Sequence, residues 1–86
     1  MNEKITLGIN GADYQFDVSR EAYSKYINSI KPDSKIAPSH NFLTTTVNKA
    51  QKEQLSELLK NPANTMAIAS ELIEAYTPDL DIVVKK

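Results

Sequence analysis

The dipeptide Asn10-Gly11 constrains the fold of this chain more than any other sequence feature, because it joins two runs in which apolar and polar residues alternate. Both residues accept the positive φ angles of a two-residue type I′ turn, so the pattern predicts a β-hairpin over about residues 4–18. The short turn fixes the register and puts the apolar side chains of both strands on one face. The predicted pairs are Ile9 with Ala12, Leu7 with Tyr14, and Ile5 with Phe16. A lone hairpin is marginal in water, so the rest of the chain must cover this face.

After the hairpin, apolar residues recur at helical spacing in successive stretches. Ser19 is a typical N-cap, and Asn61-Pro62 combines an N-cap with a proline at the first helical position. Three to four helices are therefore expected, at about residues 20–31, 40–47, 49–60 and 62–76. The first helix should bury one continuous face, formed by Ala22, Tyr23, Tyr26, Ile27 and Ile30.

The middle of the chain has two interpretations. Residues 31–38 contain two prolines, which predicts an irregular connection followed by a helix that Ser39 caps. Asn48, with Gln51 three residues later, resembles a capping box, which favours a break near Asn48. One continuous helix over about 40–60 is the alternative, and the local pattern leaves both open.

A late strand is predicted from the segment DLDIVVK, residues 79–85, in which apolar and polar residues again alternate. We expect a C-terminal strand at about 80–85 that lies beside residues 5–9 and completes a small antiparallel or mixed sheet. The predicted fold class is α+β, with helices on one face of this sheet. The chain is long enough for one modest core, so a single domain over residues 1–86 is expected.

Composition excludes several classes of function. The formal net charge is −1 and the basic residues are dispersed, so nucleic-acid binding is not expected. No stretch approaches 18 consecutive apolar residues, which argues against a membrane span. The absence of cysteine excludes disulfides, a thiol nucleophile and a Cys-based zinc site. The first residues form a strand pattern rather than a signal peptide, so we expect a protein of the host cell cytoplasm.

Candidate catalytic groups are few. His40 is the only histidine, and no nucleophile or base can be assigned around it, so a structural role near a helix start is expected. Asp79 and Asp81 share one face of the predicted strand, where carboxylates more often protect a sheet edge than bind a cation. Gly8 and Gly11 do not form a phosphate-binding loop. We therefore expect a non-enzymatic protein with no cofactor and no metal.

Three motifs carry a resemblance to a known family. They are Lys25-Tyr26-Ile27-Asn28, Lys35-x-Ala37-Pro38-x-His40-Asn41 and Tyr76-x-Pro78-Asp79-Leu80. Together with the hairpin pattern and the helix that begins at Asn61-Pro62, they make nearly the whole chain resemble the small phage tail assembly chaperones. That family occurs in tailed phages and in prophages of Gram-negative bacteria, and the resemblance carries over no catalytic residue.

The resemblance implies an assembly factor that binds the tape measure protein, or another tail protein, and keeps it soluble during tail assembly. A homo-oligomer would suit the coating of a long partner. The candidate partner-binding residues come from the first two motifs, although packing is the alternative role for this loop. They are Tyr26, Lys35, Pro38, His40 and Asn41. The other functional hypothesis is a prophage-encoded regulator or inhibitor that binds a host protein.

Overall fold

The computed structural model describes residues 2–76 and 82–85, which form one hairpin and four α-helices and confirm the α+β prediction. The strands are β1 (Glu3–Ile9) and β2 (Ala12–Val18). The helices are α1 (Arg20–Ser29), α2 (Ile36–Thr46), α3 (Lys52–Leu58) and α4 (Pro62–Tyr76). A single 3-10 turn, Lys49–Gln51, precedes α3.

The predicted hairpin and its register are confirmed. Asn10 and Gly11 have φ angles of 51° and 82°, the positive values that a type I′ turn requires. The antiparallel pairs are the expected ones: Ile9 with Ala12, Leu7 with Tyr14, and Ile5 with Phe16. The face that carries these side chains turns towards the helices, whereas the opposite face, with Lys4 opposite Asp17, is exposed.

One hydrophobic cluster joins the hairpin to all four helices. α4 lies against β1, while α2 packs against α1, α4 and β2. The rings of Tyr23 and Tyr76, with centroids 4.8 Å apart, connect α1 to the end of α4. Ile27, which was expected to be buried, is instead 43% exposed. The largest of the fully buried apolar side chains are Phe16, Val18, Leu43, Leu55 and Leu72.

The C-terminal strand expected at about 80–85 is not shown. Residues 80 and 81 lie outside the described residues, as does Asp79, and residues 82–85 have no regular secondary structure. The side chains from Ile82 to Val84 are strongly exposed. Within the described ranges the sheet has two strands, and α4 lies against β1.

Two predicted helix starts are confirmed by their capping hydrogen bonds. Ser19 precedes α1, and its Oγ accepts a hydrogen bond from the Ala22 N–H at 3.0 Å. Asn61 precedes α4, and its Oδ1 accepts a hydrogen bond from the Ala63 N–H at 3.0 Å. Each side chain satisfies a backbone donor that has no partner within the helix. α4 has its predicted bounds, whereas α1 ends slightly earlier than expected, at Ser29.

α2 begins at Ile36 rather than near residue 40, so Pro38 lies in its first turn. The expectation of an irregular connection up to Pro38 is wrong, because proline is tolerated where backbone N–H groups have no helical partner. The first hydrogen bond of the helix runs from the Ser39 N–H to the Lys35 carbonyl at 3.1 Å. Lys35 therefore occupies the N-cap position, and the prediction that Ser39 caps this helix is also wrong.

The predicted break near Asn48 is confirmed, and a continuous helix over 40–60 is not formed. Val47 has an extended backbone, with φ −68° and ψ 149°, and pairs with Phe16 in an isolated antiparallel bridge. The Asn48 Oδ1 accepts a hydrogen bond from the Ala50 N–H at 3.0 Å, which starts the next helical segment. The chain thus leaves the helical path where it meets the hairpin.

Gln51 does not complete the expected capping box, because its side chain reaches β2 instead. The Gln51 Oε1 accepts a hydrogen bond from the Gln15 N–H at 2.9 Å, and its Nε2 donates to the Asp13 carbonyl at 2.5 Å. The Asn48 N–H donates to the Gln15 carbonyl at 2.8 Å. These three bonds close the outer edge of β2.

Candidate functional site

α1 and α2 form a helical hairpin around a tight turn at residues 31–34. The Lys31 N–H donates to the Ser34 carbonyl at 3.3 Å, and the Ser34 N–H donates to the Lys31 carbonyl at 3.1 Å. Pro32 holds the second position of this turn, where its fixed φ favours a β-turn. The turn directs α2 back alongside α1.

A groove of about 390 Å³ opens between these two helices, and we call it the α1–α2 groove. In each helix its lining residues recur at intervals of three or four, so they share one face. They are Ala22, Lys25, Tyr26 and Ser29 of α1, Ser34 of the turn, and Ala37, Pro38, Asn41, Phe42 and Thr45 of α2. The volume lies within the range of binding pockets in proteins, so the groove can accept side chains of a partner.

Two stacked aromatic rings form the floor of the groove. The centroids of Tyr26 and Phe42 are 4.6 Å apart, with 7° between the ring planes, and both side chains are buried. The Tyr26 Oη lies 2.8 Å from the Oγ of Ser39, which donates its only proton to the Lys35 carbonyl at 2.7 Å. The Tyr26 hydroxyl must therefore be the donor to Ser39. The floor is apolar, and its buried polar atoms are satisfied.

The rim of the groove is polar. Lys25, Asn41 and Thr45 are exposed there, and Lys25 is the charged member of the lining. No carboxylate of the described residues lines the groove. The combination of an apolar floor with amide, hydroxyl and ammonium donors suits an apolar partner segment flanked by hydrogen-bond acceptors.

The structure brings three of the five candidate partner-binding residues together in this groove: Tyr26, Pro38 and Asn41. Tyr26 is 7% exposed, so its main contribution is packing, whereas Asn41 is exposed and available to a partner. Lys35 is exposed at the start of α2, and His40 is half-buried on α2, but neither lines the groove. A partner-binding role for these residues stays a prediction.

Sequence reasoning missed Phe42 and Thr45 as members of the site. Both follow Pro38 at helical spacing, four and seven residues later, so they share its face of α2. The signal was present in the sequence, but it could be used only with a helix that already includes Pro38. Because the helix was predicted to start near residue 40, Pro38 was not placed on the same helix face as Phe42 and Thr45.

His40 takes part in the helix through its backbone, since its carbonyl accepts a hydrogen bond from the Thr44 Oγ1 at 3.0 Å. Among residues 2–76 and 82–85, no group of three or more acidic or histidine side chains is arranged to hold a metal ion. None of the helices in these ranges combines the length and the apolar character needed to cross a membrane.

Comparison with known proteins adds a family to this geometry. The family model described as phage tail assembly chaperone matches residues 5–86, which include the hairpin from Ile5 onward and both helices of the α1–α2 groove. An uncharacterized 11.3 kDa protein in the lys 3′ region of Haemophilus phage HP1 (strain HP1c1) is 29% identical over 85 residues. The aligned part covers 99% of this chain and 83% of that protein. No solved structure matches the chain.

Proposed function

Because the chain belongs to the phage tail assembly chaperone family, we propose that it is a non-enzymatic assembly factor that binds the tape measure protein in the host cytoplasm. Family membership supports a role in phage tail assembly and binding to other tail proteins. The choice of the tape measure protein comes from the resemblance to this family, and a physical argument supports it. A long protein with apolar helical faces aggregates when those faces are uncovered. Reversible cover would keep it soluble until the tail is built.

The α1–α2 groove is the observation that carries this proposal. Its aromatic floor offers a place for apolar side chains, and its rim offers hydrogen-bond donors around them. An amphipathic helix that binds in a groove inserts apolar side chains from one face, at intervals of three or four residues. Lys25 favours a partner with an acidic residue beside the apolar face. We therefore propose that the partner segment is a helix with an apolar face and carboxylates on its flank.

Co-expression with the tape measure protein of the same phage tests the choice of partner. We expect the soluble fraction of the tape measure protein to rise and a complex to co-purify. If its solubility is unchanged and no complex forms, the partner is wrong. Stable capture of one host protein, with the tape measure protein left insoluble, would instead favour the regulator hypothesis.

A matched pair of variants tests the place of binding. Asn41 lies in the groove and Asn28 on α1 lies outside it, and both are exposed. Asn41→Arg fills the groove with a long charged side chain, so we expect binding about tenfold weaker or worse, whereas Asn28→Arg should have little effect. Equal effects of the two variants on the dissociation constant would place the contact elsewhere and leave the choice of partner standing.

A charge reversal tests the acidic flank proposed for the partner. Lys25→Glu changes the charge in the groove, and Arg20→Glu makes the same change at an exposed position of α1 outside it. We expect only Lys25→Glu to slow association, by several-fold, with a smaller difference at high salt. Association rates measured at two salt concentrations would contradict the proposal if both variants behave alike.

A further inference from the structure

The outer edge of β1 is open. In a hairpin with a two-residue turn, the residues next to the turn form a hydrogen-bonded pair, and such pairs alternate along the strands. The backbone groups of Ile9, Leu7 and Ile5 therefore face β2, and those of Thr6 and Gly8 point away from it. Within the described residues no strand pairs with this edge and no hydrogen bond reaches it.

The sheet can therefore accept a further strand on one side only. On β2 the outward carbonyl of Asp13 and both outward groups of Gln15 are taken by the Asn48 N–H and the Gln51 side chain. On β1 the corresponding groups are free to bond with a new strand. Open edges of this kind are sites of strand addition.

A second groove, of about 360 Å³, runs along the open edge beneath α4, and we call it the edge groove. Residues 6–9 line one side, and Ala67, Ile68 and Glu71 of α4 line the other. Ile68 is 7% exposed and belongs to the hydrophobic core, so the edge groove continues the apolar face of the hairpin. A strand added to β1 would point every second side chain into it.

The chain carries a segment whose chemistry fits this edge. Ile82, Val83 and Val84 are 77%, 68% and 79% exposed, and all three are β-branched residues that favour strands. In a strand, Ile82 and Val84 share one face and Val83 takes the other. Lys85 follows them, and its charge is complementary to that of Glu71 in the edge groove.

We infer that residues 82–85 of one copy add as a third strand to the β1 edge of a second copy, which returns its own residues 82–85 in the same way. Within the described residues each copy offers one open edge and one such segment. Because the exchange is reciprocal, it closes a two-fold dimer and does not grow into a filament. Ile82, Val83 and Val84 are exposed, and none of them lines the edge groove of its own chain. The inference uses no residue of the α1–α2 groove, so its failure would leave the proposed function untouched.

Sedimentation equilibrium of the full chain, 9.6 kDa per copy, tests the exchange across a wide range of concentrations. The double variant Ile82→Asp with Val84→Asp puts two carboxylates into the edge groove. Val83→Asp changes the neighbouring position on the outer face and is the matched control. The two-fold dimer buries four Ile82 and Val84 side chains, two from each copy. We expect the double variant to weaken the dimer by roughly 10,000-fold, since each buried aliphatic side chain accounts for about a tenfold change. The control should retain most of the dimer.

Amide hydrogen exchange at Thr6 and Gly8 gives a second readout that does not depend on a variant folding. We expect protection of these amides to rise with protein concentration. A chain that stays monomeric at millimolar concentration overturns the inference. So does protection that is independent of concentration, because the strand would then come from the same chain. A dimer that survives the double variant, or one that leaves these amides unprotected, would place the interface elsewhere.

Discussion

Tyr26 illustrates how one residue can belong to a binding groove and still act mainly through folding. Its ring lies in the floor of the α1–α2 groove against Phe42, and its hydroxyl donates to Ser39. Ser39 is fully buried, and its hydroxyl donates a hydrogen bond to the carbonyl of Lys35, the N-cap residue of α2. Tyr26 thereby connects the two helices whose separation defines the groove.

Substitution of Tyr26 should therefore change the free energy of unfolding. Tyr26→Phe removes the donor to Ser39 but keeps the ring, and we expect a loss of about 1 kcal/mol. Tyr26→Ala also removes the stacked ring and should cost about 3–5 kcal/mol. Urea unfolding measures both values. An unchanged midpoint for Tyr26→Ala, together with lost partner binding, would show instead that the ring acts at an interface.

Gln51 offers a second test at the scale of single residues. Gln51→Ala removes both hydrogen bonds that its amide makes to β2, and we expect a loss of about 1–2 kcal/mol in the free energy of unfolding. Gln54→Ala, at an exposed position of α3, is the control and should change little. Equal stability of the two variants would mean that water replaces the Gln51 amide at no cost.

Hydrogen-bond partners of this kind were the part that sequence could not predict. The partner of Gln51 lies on β2, far away in sequence, so the capping box with Asn48 was the local alternative. Thr46 and Thr65 are buried although their type suggests exposure, because each hydroxyl donates to an earlier backbone carbonyl. Patterns of apolar residues carry no signal for such bonds.

At the scale of elements, the hairpin turn requires a glycine at one position, Gly11, whereas β1 does not require one at Gly8. Gly11 has a φ of 82°, so Gly11→Ala forces a side chain into the left-handed region and should destabilise the protein by about 1–2 kcal/mol. Gly8 lies within β1, and a Cβ there would meet the Asp13 Oδ1 at an ordinary 3.5 Å. Gly8→Ala should therefore stabilise the protein by about 0.5–1 kcal/mol. Thermal melts with opposite shifts would support this, and shifts of the same sign would contradict it.

Elements with strong local signals were predicted well. The hairpin follows from Asn10-Gly11, and α4 follows from Asn61-Pro62, because both dipeptides restrict the backbone directly. The start of α2 was missed because a proline can either end a helix or occupy its first turn. The C-terminal strand was expected because the hairpin needs a partner, but α4 meets that need in the described residues. Of the α1–α2 groove, the sequence identified Tyr26, Pro38 and Asn41 but not the face that unites them.

At the scale of the whole molecule, one core should produce one unfolding transition. The apolar cluster includes side chains from both strands and all four helices, so no element can leave without exposing the others. We propose that residues 1–86 form a single domain and expect coincident transitions by helical circular dichroism and tyrosine fluorescence. The heat-capacity change should be about 1.1 kcal/mol/K for 86 residues. Two separate transitions would contradict the single domain.

The order of synthesis gives the position of α4 a further consequence. The ribosome makes the hairpin first, yet the helix that lies against β1 ends only at Tyr76. At roughly 5–20 residues per second, the apolar face of the hairpin waits for several seconds before its cover exists. We expect nascent chains stalled before Pro62 to bind the chaperones of the host cell. Nascent chains that extend past Tyr76 should no longer bind them. The protein that we propose to cover the apolar surface of a partner would thus itself need chaperones to cover its own apolar surface during synthesis.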